Sequence, residues 1–445
     1  MSTAASTGQG PLAHDAPGAS EALEPLVEPL LEPLLGKVDA PSGPALVAAG
    51  QARLLGNYRQ APVVLARGRG SELWDVDGRR YLDLCAGVAV SSIGHAHPRL
   101  TAALAEQAGK LIHASNYFYN EENVRLAGEL CETFGYDRAM FCNSGAEANE
   151  AMLKLARRFF YARGQKDRYR IIAFHHSFHG RTMGAVSLTG NPKYHEGFGP
   201  PLAGVTHVEY GDLAAVRAAM GDDVAAIIVE PVQGEGGVLP PPPGYLAGLR
   251  DLCDEHGALL LVDEVQTGVG RTGRWLGQEH DGVRGDAISL AKGLGGGVPI
   301  GALLVTERLE GALPPGTHGS TFGGNALASV AARTVLAVIR DEHLLEATAE
   351  RGVQLGRGLL ALAAKHPSVA VGERGRGLLR GLVLAPGLDP RTVLGVTREH
   401  GVLLTAAGTN VLRFTPPLVI TQAQIDEGLA RVDAALSTLA ATVSP

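Results

Sequence analysis

The sequence predicts an α/β protein: a large domain built on a mostly parallel sheet between helices, then a smaller α+β domain at the C-terminus. Two observations carry that expectation. Short apolar runs, "RAMFC", "RIIAF", "VAAIIV", "ALLLV", "AISLA" and "GALLV", alternate with helical patterns and are bounded by turn residues. They are too continuously apolar to leave one face wet, so helices should cover both sides of the sheet. Beyond about residue 325 helical patterns dominate, and short strands return near "GLLRGLVL" and "VLRFTPPLVI".

Taken in order, residues 1–50 are rich in Ala, Ser, Gly and Pro, and "LEPLVEPLLEPLLGK" repeats Glu-Pro-Leu. A proline every fourth residue removes helical donors and clashes with the preceding turn, so a disordered or loosely packed extension is expected. Residues 51–95 are expected to pack with the small domain. Within them "ELWDVDGRRYLDL" places Asp77-Gly78 between two alternating runs, which reads as a hairpin. Residues 96–330 form the expected large domain. There "EANEAMLKLARRFFYARG" carries Met152, Leu155, Ala156 and Phe159 on one helical stripe, with Gly164 as its stop. Residues 331–445 form the expected small domain.

Composition excludes several classes. The 445 residues carry a formal charge of −7 with acids and bases mixed, and no basic block or interleaved aromatic stripe suggests nucleic acid. Four scattered cysteines form no C-x-x-C pair, which favours free thiols in a reducing compartment. No apolar run approaches the roughly 18 residues of a membrane helix. No Lys or Arg precedes Lys37, unlike a secretory leader or transit peptide, so a cytoplasmic location is expected. The "HHSFH" and "GHAH" clusters lack a ligand spacing such as H-E-x-x-H, and no metal is expected.

Ligands of open α/β sheets sit beyond the carboxyl ends of the strands. "RAMFC" runs into "NSGAEANE", a small-residue turn that opens a helix and offers free N–H groups to a phosphate. "RIIAF" leads to Phe178, His179 and Arg181; "VAAIIV" to Glu230 and Glu235; "ALLLV" to Asp263 and Gln266; "AISLA" to Lys292. Taken singly, each has an ordinary alternative: Asp263 as a helix cap, Phe178 as core, Arg181 as a surface ion-pair partner. Lys292 is the informative one among seven lysines. It alone ends an apolar run with no acid beside it in the sequence and a glycine turn behind it; Lys193, in a loop, is its one rival. A lysine desolvated there has a depressed pKa, and its neutral amine attacks a carbonyl. An aldehyde cofactor carrying a phosphate and a ring nitrogen would use the remaining parts, which points to a Schiff-base lysine for pyridoxal 5'-phosphate.

"NSGAEANEAMLKLAR", "FHGRT", "EPVQGEGGV", "LLLVDEVQTGVGRTG", "LAKGLGGGVPIGA", "HGSTFGGN" and "NVLRFTPPL" together resemble the class III aminotransferases of the type I pyridoxal-phosphate fold, and most of all the acetylornithine aminotransferases. The resemblance runs from about Asn57 to the C-terminus. It implies that Lys292 binds the cofactor and moves the proton, that Asp263 holds the pyridine nitrogen, and that Gln266 bonds the phenolic oxygen. Phe178 and Val265 would cover the ring faces. Ser144, Gly145 and Ala146 would bind the phosphate, with Thr321 reaching in from a second subunit of a homodimer. Arg181 would hold the distal substrate carboxylate, and Arg413 the α-carboxylate of glutamate or 2-oxoglutarate, with Glu235 pairing with Arg413 otherwise. Val88 falls where ornithine aminotransferases carry a tyrosine that contacts a free α-amino group, so an apolar residue there suits an acylated nitrogen. The sequence departs from the acetylornithine branch at "VSSIGH", where Asn usually follows Val, and at "GGNALA", where Pro is usual. The implied reaction moves the δ-amino group of N-acetylornithine to 2-oxoglutarate in arginine biosynthesis. Ornithine, succinylornithine, N-succinyl-diaminopimelate and 4-aminobutyrate aminotransferases are the alternatives, with a ligand sensor that does not turn over as the alternative of another class.

Overall fold

The computed structural model describes residues 42–443, so the Glu-Pro-Leu repeat lies outside the described residues. The chain divides into two units at Val64 and Leu65. In the first, the helix Gly43–Arg53 starts with a proline in its first turn, where a missing N–H costs nothing. The boundary expected at residues 50 and 51 therefore falls inside a helix, because its Ala-rich run carries on past the last proline.

The second unit holds three sheets among the described residues. Strands β1 (Leu65–Arg69), β2 (Glu72–Asp75) and β3 (Arg80–Asp83) form an antiparallel meander. The hairpin expected at Asp77-Gly78 joins β2 to β3: Asp75 Oδ1 accepts from the amides of Asp77 (3.1 Å) and Arg79 (2.8 Å), and Gly78 supplies a φ of 84°.

The central sheet contains β4 (Arg138–Cys142), β5 (Arg170–Phe174), β6 (Val205–Val208), β7 (Val224–Val229), β8 (Leu259–Asp263), β9 (Ala287–Leu290) and β10 (Gly301–Val305). Their order is β4-β10-β9-β8-β7-β5-β6. Only β10 runs against its neighbours β4 and β9, so β4, β5, β7, β8 and β9 all end at one edge. The all-apolar runs have the expected cause. Ile172, Phe174, Ile227, Val229, Leu260 and Val262 enter one buried cluster. The alternate residues Ile171, Ala173, Ala226, Ile228, Leu259 and Leu261 enter a second one. Each buried Ile or Leu contributes on the order of 2 kcal/mol. The helix Gly145–Tyr161 closes the second cluster with Met152, Leu155, Ala156 and Phe159.

Toward the C-terminus, β11 (Ala370–Arg376), β12 (Leu379–Leu384), β14 (Thr405–Ala407) and β15 (Val411–Phe414) make an antiparallel sheet, while β13 (Val402–Leu403) pairs in parallel with β3. The boundary expected at residues 330 and 331 falls inside the helix Ala326–Asp341, which Asn325 caps by accepting from Ala328 N. No helix among the described residues is long and apolar enough to cross a membrane.

Candidate active site

At the end of β4 the chain turns through Asn143 and Ser144 into the helix Gly145–Tyr161. A reciprocal cap sets that turn: Ser144 Oγ accepts from Glu147 N (3.2 Å), and Glu147 Oε2 accepts from Asn143 N (2.8 Å). The amides of Gly145 and Ala146 are left without an acceptor among the described residues, at the positive end of a helix. Gly145 has to be glycine, since a Cβ there would lie 2.7 Å from Val265 Cγ1. The helix terminus is thereby pressed against the turn after β8.

Asp263, the last residue of β8, is 3% exposed. Its Oδ1 accepts from Val265 N (2.9 Å); its Oδ2 accepts from His179 Nδ1 (2.8 Å) and Asn149 Nδ2 (2.7 Å). Burial pulls the His179 imidazole pKa down, but the hydrogen bond and charge of Asp263, with Glu230 behind it, leave it raised above the ordinary value. Glu230 is buried beyond β7 and accepts from Phe178 N (3.0 Å) and Gly234 N (3.3 Å). Burial pushes its carboxyl well above the usual range.

Lys292 follows β9 with a left-handed φ of 39°. Burial pulls its ammonium pKa below the ordinary value; Glu235 opposes the shift, Arg413 adds to it, and Asp263 and Glu230 oppose it more weakly. Lys292 has no acid beside it in sequence, but the fold gathers three carboxylates within electrostatic reach. Lys193, the sequence rival, lies exposed in a short 3₁₀ turn.

Arg413, on β15, is 2% exposed and forms an ion pair with Glu235. Its Nη1 also donates to Gln266 Oε1 (3.2 Å) and its Nε to Thr405 Oγ1 (3.2 Å). Burial raises the Glu235 carboxyl, and Arg413 with Lys292 more than reverses that, leaving it below the usual range. Gly234 lets this loop close in, because a Cβ there would collide with the Gln266 amide.

Val88 is half-buried in a segment of reversed backbone, with Ala86 at φ 46° and Ala89 at φ 59°. That segment is tied to both halves of the site. Thr415 Oγ1 donates to Cys85 O (2.9 Å) two residues beyond Arg413, and Ser92 Oγ donates to Gly293 O (2.8 Å) beside Lys292. Phe178 is half-buried and edge-on to Tyr194 at 5.9 Å, and the Arg181 guanidinium lies 3.9 Å from the Tyr194 ring centre. Arg181 and Thr321 are exposed at the rim. Thr321 follows Ser320, whose Oγ accepts from Asn143 Nδ2 (3.1 Å).

One edge thus brings together Ser144, Gly145, Ala146, Val265, Asp263, Gln266, Glu235, Arg413 and Lys292. These residues fit pyridoxal phosphate. Open amides at a helix N-terminus suit a phosphate, a buried acceptor carboxylate suits a ring N–H, and a lysine destabilised as a cation suits an aldehyde. Motif reading did not single out Asn149, or give a role to His179 and Glu230; only contact with Asp263 and Phe178 marks them. Among the described residues no group of three or more His, Cys, Asp or Glu could hold a metal ion.

Comparison with known proteins agrees with this geometry. The chain is 50% identical over 384 residues to an acetylornithine aminotransferase of Myxococcus xanthus, covering 86% of this chain and 95% of that one. It is 45% identical over 389 residues to a succinylornithine transaminase/acetylornithine aminotransferase of Pseudomonas aeruginosa, covering 86% and 95%. Among solved structures it resembles the ornithine aminotransferase of Toxoplasma gondii, described with partial occupancy of PLP at its active site. The TM-score is 0.87 at 37% identity, covering 94% of this chain and 99% of that one. The family model described as Aminotransferase class-III matches residues 55–436, and the chain belongs to that family.

Proposed function

We propose that this pyridoxal-phosphate-dependent aminotransferase moves the δ-amino group of N-acetylornithine to 2-oxoglutarate, giving N-acetylglutamate semialdehyde and glutamate in arginine biosynthesis. The observation that carries the reading is Lys292, buried at the strand edge within electrostatic reach of Asp263 and of the Glu235–Arg413 pair. When bound, the cofactor supplies an electron sink and a carbon that carries the amino group from one substrate to the next.

The chain's own residues supply the rest. Gly145 and Ala146 amides and Ser144 bind the phosphate at the helix N-terminus. Asp263 accepts from the ring nitrogen, Phe178 and Val265 confine the ring, and Gln266 bonds its phenolic side. Lys292 Nζ, its ammonium form disfavoured by burial, would hold the cofactor's aldehyde carbon, and would take and return the proton of the amine-bearing substrate carbon. Arg181 at the rim takes the distal carboxylate of the amine substrate. Arg413 is neutralised by Glu235 while that substrate reacts, and is freed for the α-carboxylate of 2-oxoglutarate. Val88 offers an apolar surface to an acylated nitrogen.

We place the enzyme in the cytoplasm as a homodimer. Tyr117, Phe118 and Tyr119 are 94%, 71% and 95% exposed, and Phe322 is 59% exposed beside Thr321. An aromatic patch of that size is the kind a partner covers. A second copy covering it would bring Thr321 to the phosphate of the neighbouring site.

Succinylornithine is the second reading, favoured by the dual description of the Pseudomonas relative. Single-turnover rates with N-acetylornithine, succinylornithine, ornithine and 4-aminobutyrate decide it. The proposal expects N-acetylornithine to react fastest; succinylornithine reacting fastest would favour the second reading, and ornithine or 4-aminobutyrate reacting faster than both overturns both.

A further inference from the structure

We propose that His179 is a positioning residue for the cofactor, acting through Asp263 together with Asn149. The inference rests on the pyridoxal-phosphate reading. Asp263 Oδ2 accepts from both His179 Nδ1 and Asn149 Nδ2, at 2.8 and 2.7 Å, while Oδ1 accepts from Val265 N. A carboxylate held by three donors on two oxygens cannot rotate about its Cβ–Cγ bond without breaking at least one bond, so its remaining acceptor direction is fixed.

The donors come from elements that already define the pocket. Asn149 sits one helical turn beyond Gly145, on the helix whose N-terminus offers the open amides. Its Nδ2 also donates to His179 O (2.7 Å), and His179 N donates to Thr189 Oγ1 (2.9 Å). One helix thereby sets the spacing between the phosphate end and the ring-nitrogen end of the site. His179, in the turn that also carries Phe178, bonds the same Asp263 oxygen from a second element.

His179 is a poor choice for a passive core residue. Its side chain is fully buried, and Nε2 has no hydrogen-bond partner among the described residues. Leaving a buried polar atom unpaired costs free energy that an apolar residue of similar size would avoid. What the imidazole supplies in return is the bond from Nδ1 that aims the Asp263 carboxylate. A ring N–H meeting a rotating carboxylate would lose part of its hydrogen bond, and the cofactor would bind less tightly.

The test uses the holoenzyme and two variants. His179→Leu removes the donor; His179→Asn keeps an N–H donor near the position of Nδ1. Dissociation constants for pyridoxal phosphate and the visible absorption of the bound cofactor are measured beside melting temperature. The proposal expects His179→Leu to bind roughly tenfold more weakly or worse, with a shifted absorption band, and His179→Asn to recover binding to within about threefold. Wild-type affinity and spectrum in His179→Leu, whatever its melting temperature, would overturn it, as would His179→Asn behaving like His179→Leu. If His179→Leu does not fold, the wild type gives the answer. The downfield Nδ1–H proton resonance, assigned by its loss in His179→Asn, should move when pyridoxal phosphate is removed, and an unmoved resonance contradicts the proposal. Failure of the wild type to bind pyridoxal phosphate would instead refute the cofactor reading itself.

Discussion

Glu235 and Arg413 face a problem that a single pocket cannot avoid. The amine substrate presents no carboxylate beside its reacting carbon, whereas 2-oxoglutarate does. An unpaired buried Arg413 would favour glutamate-like ligands in both half-reactions, because arginine–carboxylate pairs are strong when desolvated. The Glu235 carboxyl, kept below the usual range by Arg413 and Lys292 against its own burial, stays charged and neutralises that cation through the neutral pH range. Glu235→Ala should therefore speed the half-reaction with glutamate and slow that with N-acetylornithine, moving the preference by roughly tenfold. Single-turnover rates for both amines measure it, and equal slowing of both would count against a gate. Lys292 and Asp263 stood out in the sequence because each closes an apolar run at the edge where ligands sit, and Glu235 because its motif resembles the family's. His179 and Glu230 were visible by position but not by role, and Asn149 by neither, since their meaning lies in which atoms they meet across the sheet. Asn149 looks like an ordinary helix residue until its Nδ2 is found 2.7 Å from Asp263.

At the level of elements, the continuous runs were easy to read because both faces of the central sheet are buried, and alternate residues feed two separate cores. Edge and mixed strands were harder. "VTHV" in β6 is short and half-polar, "AVGERGR" in β11 is charged and glycine-bearing, and only their pairing with β5 and β12 makes them strands. β13 has two residues and owes its existence to β3, more than 300 positions away in the chain. The helix that opens at Gly145 shows how an element carries function. Its cap, its open amides and Asn149 lie within its first two turns, and the missing Cβ of Gly145 lets Val265 touch it. Gly145→Ala would push Cγ1 and Cγ2 of Val265 from contacts of 2.7 and 2.8 Å. We expect a loss of about 1–3 kcal/mol of stability and weaker cofactor binding, read by thermal melting and by pyridoxal phosphate titration. A variant with unchanged melting and binding would show that the turn after β8 yields freely.

On the scale of the whole molecule, residues far apart in the chain converge on Lys292. The turn after β4, the loops after β5, β7 and β8, the segment around Val88 and strand β15 each supply one contact to the site or to its frame. The sequence pointed to the strand edge and to Lys292, but not to the way Thr415 and Ser92 tie the Val88 segment to both halves of the pocket. That tie depends on backbone carbonyls, which carry no residue-type signature. The account stands or falls with the identity of the cofactor lysine. Borohydride reduction of the purified enzyme carrying pyridoxal phosphate, followed by peptide mapping, should place the label on the peptide containing Lys292. A label on Lys193, or on no single lysine, would contradict it.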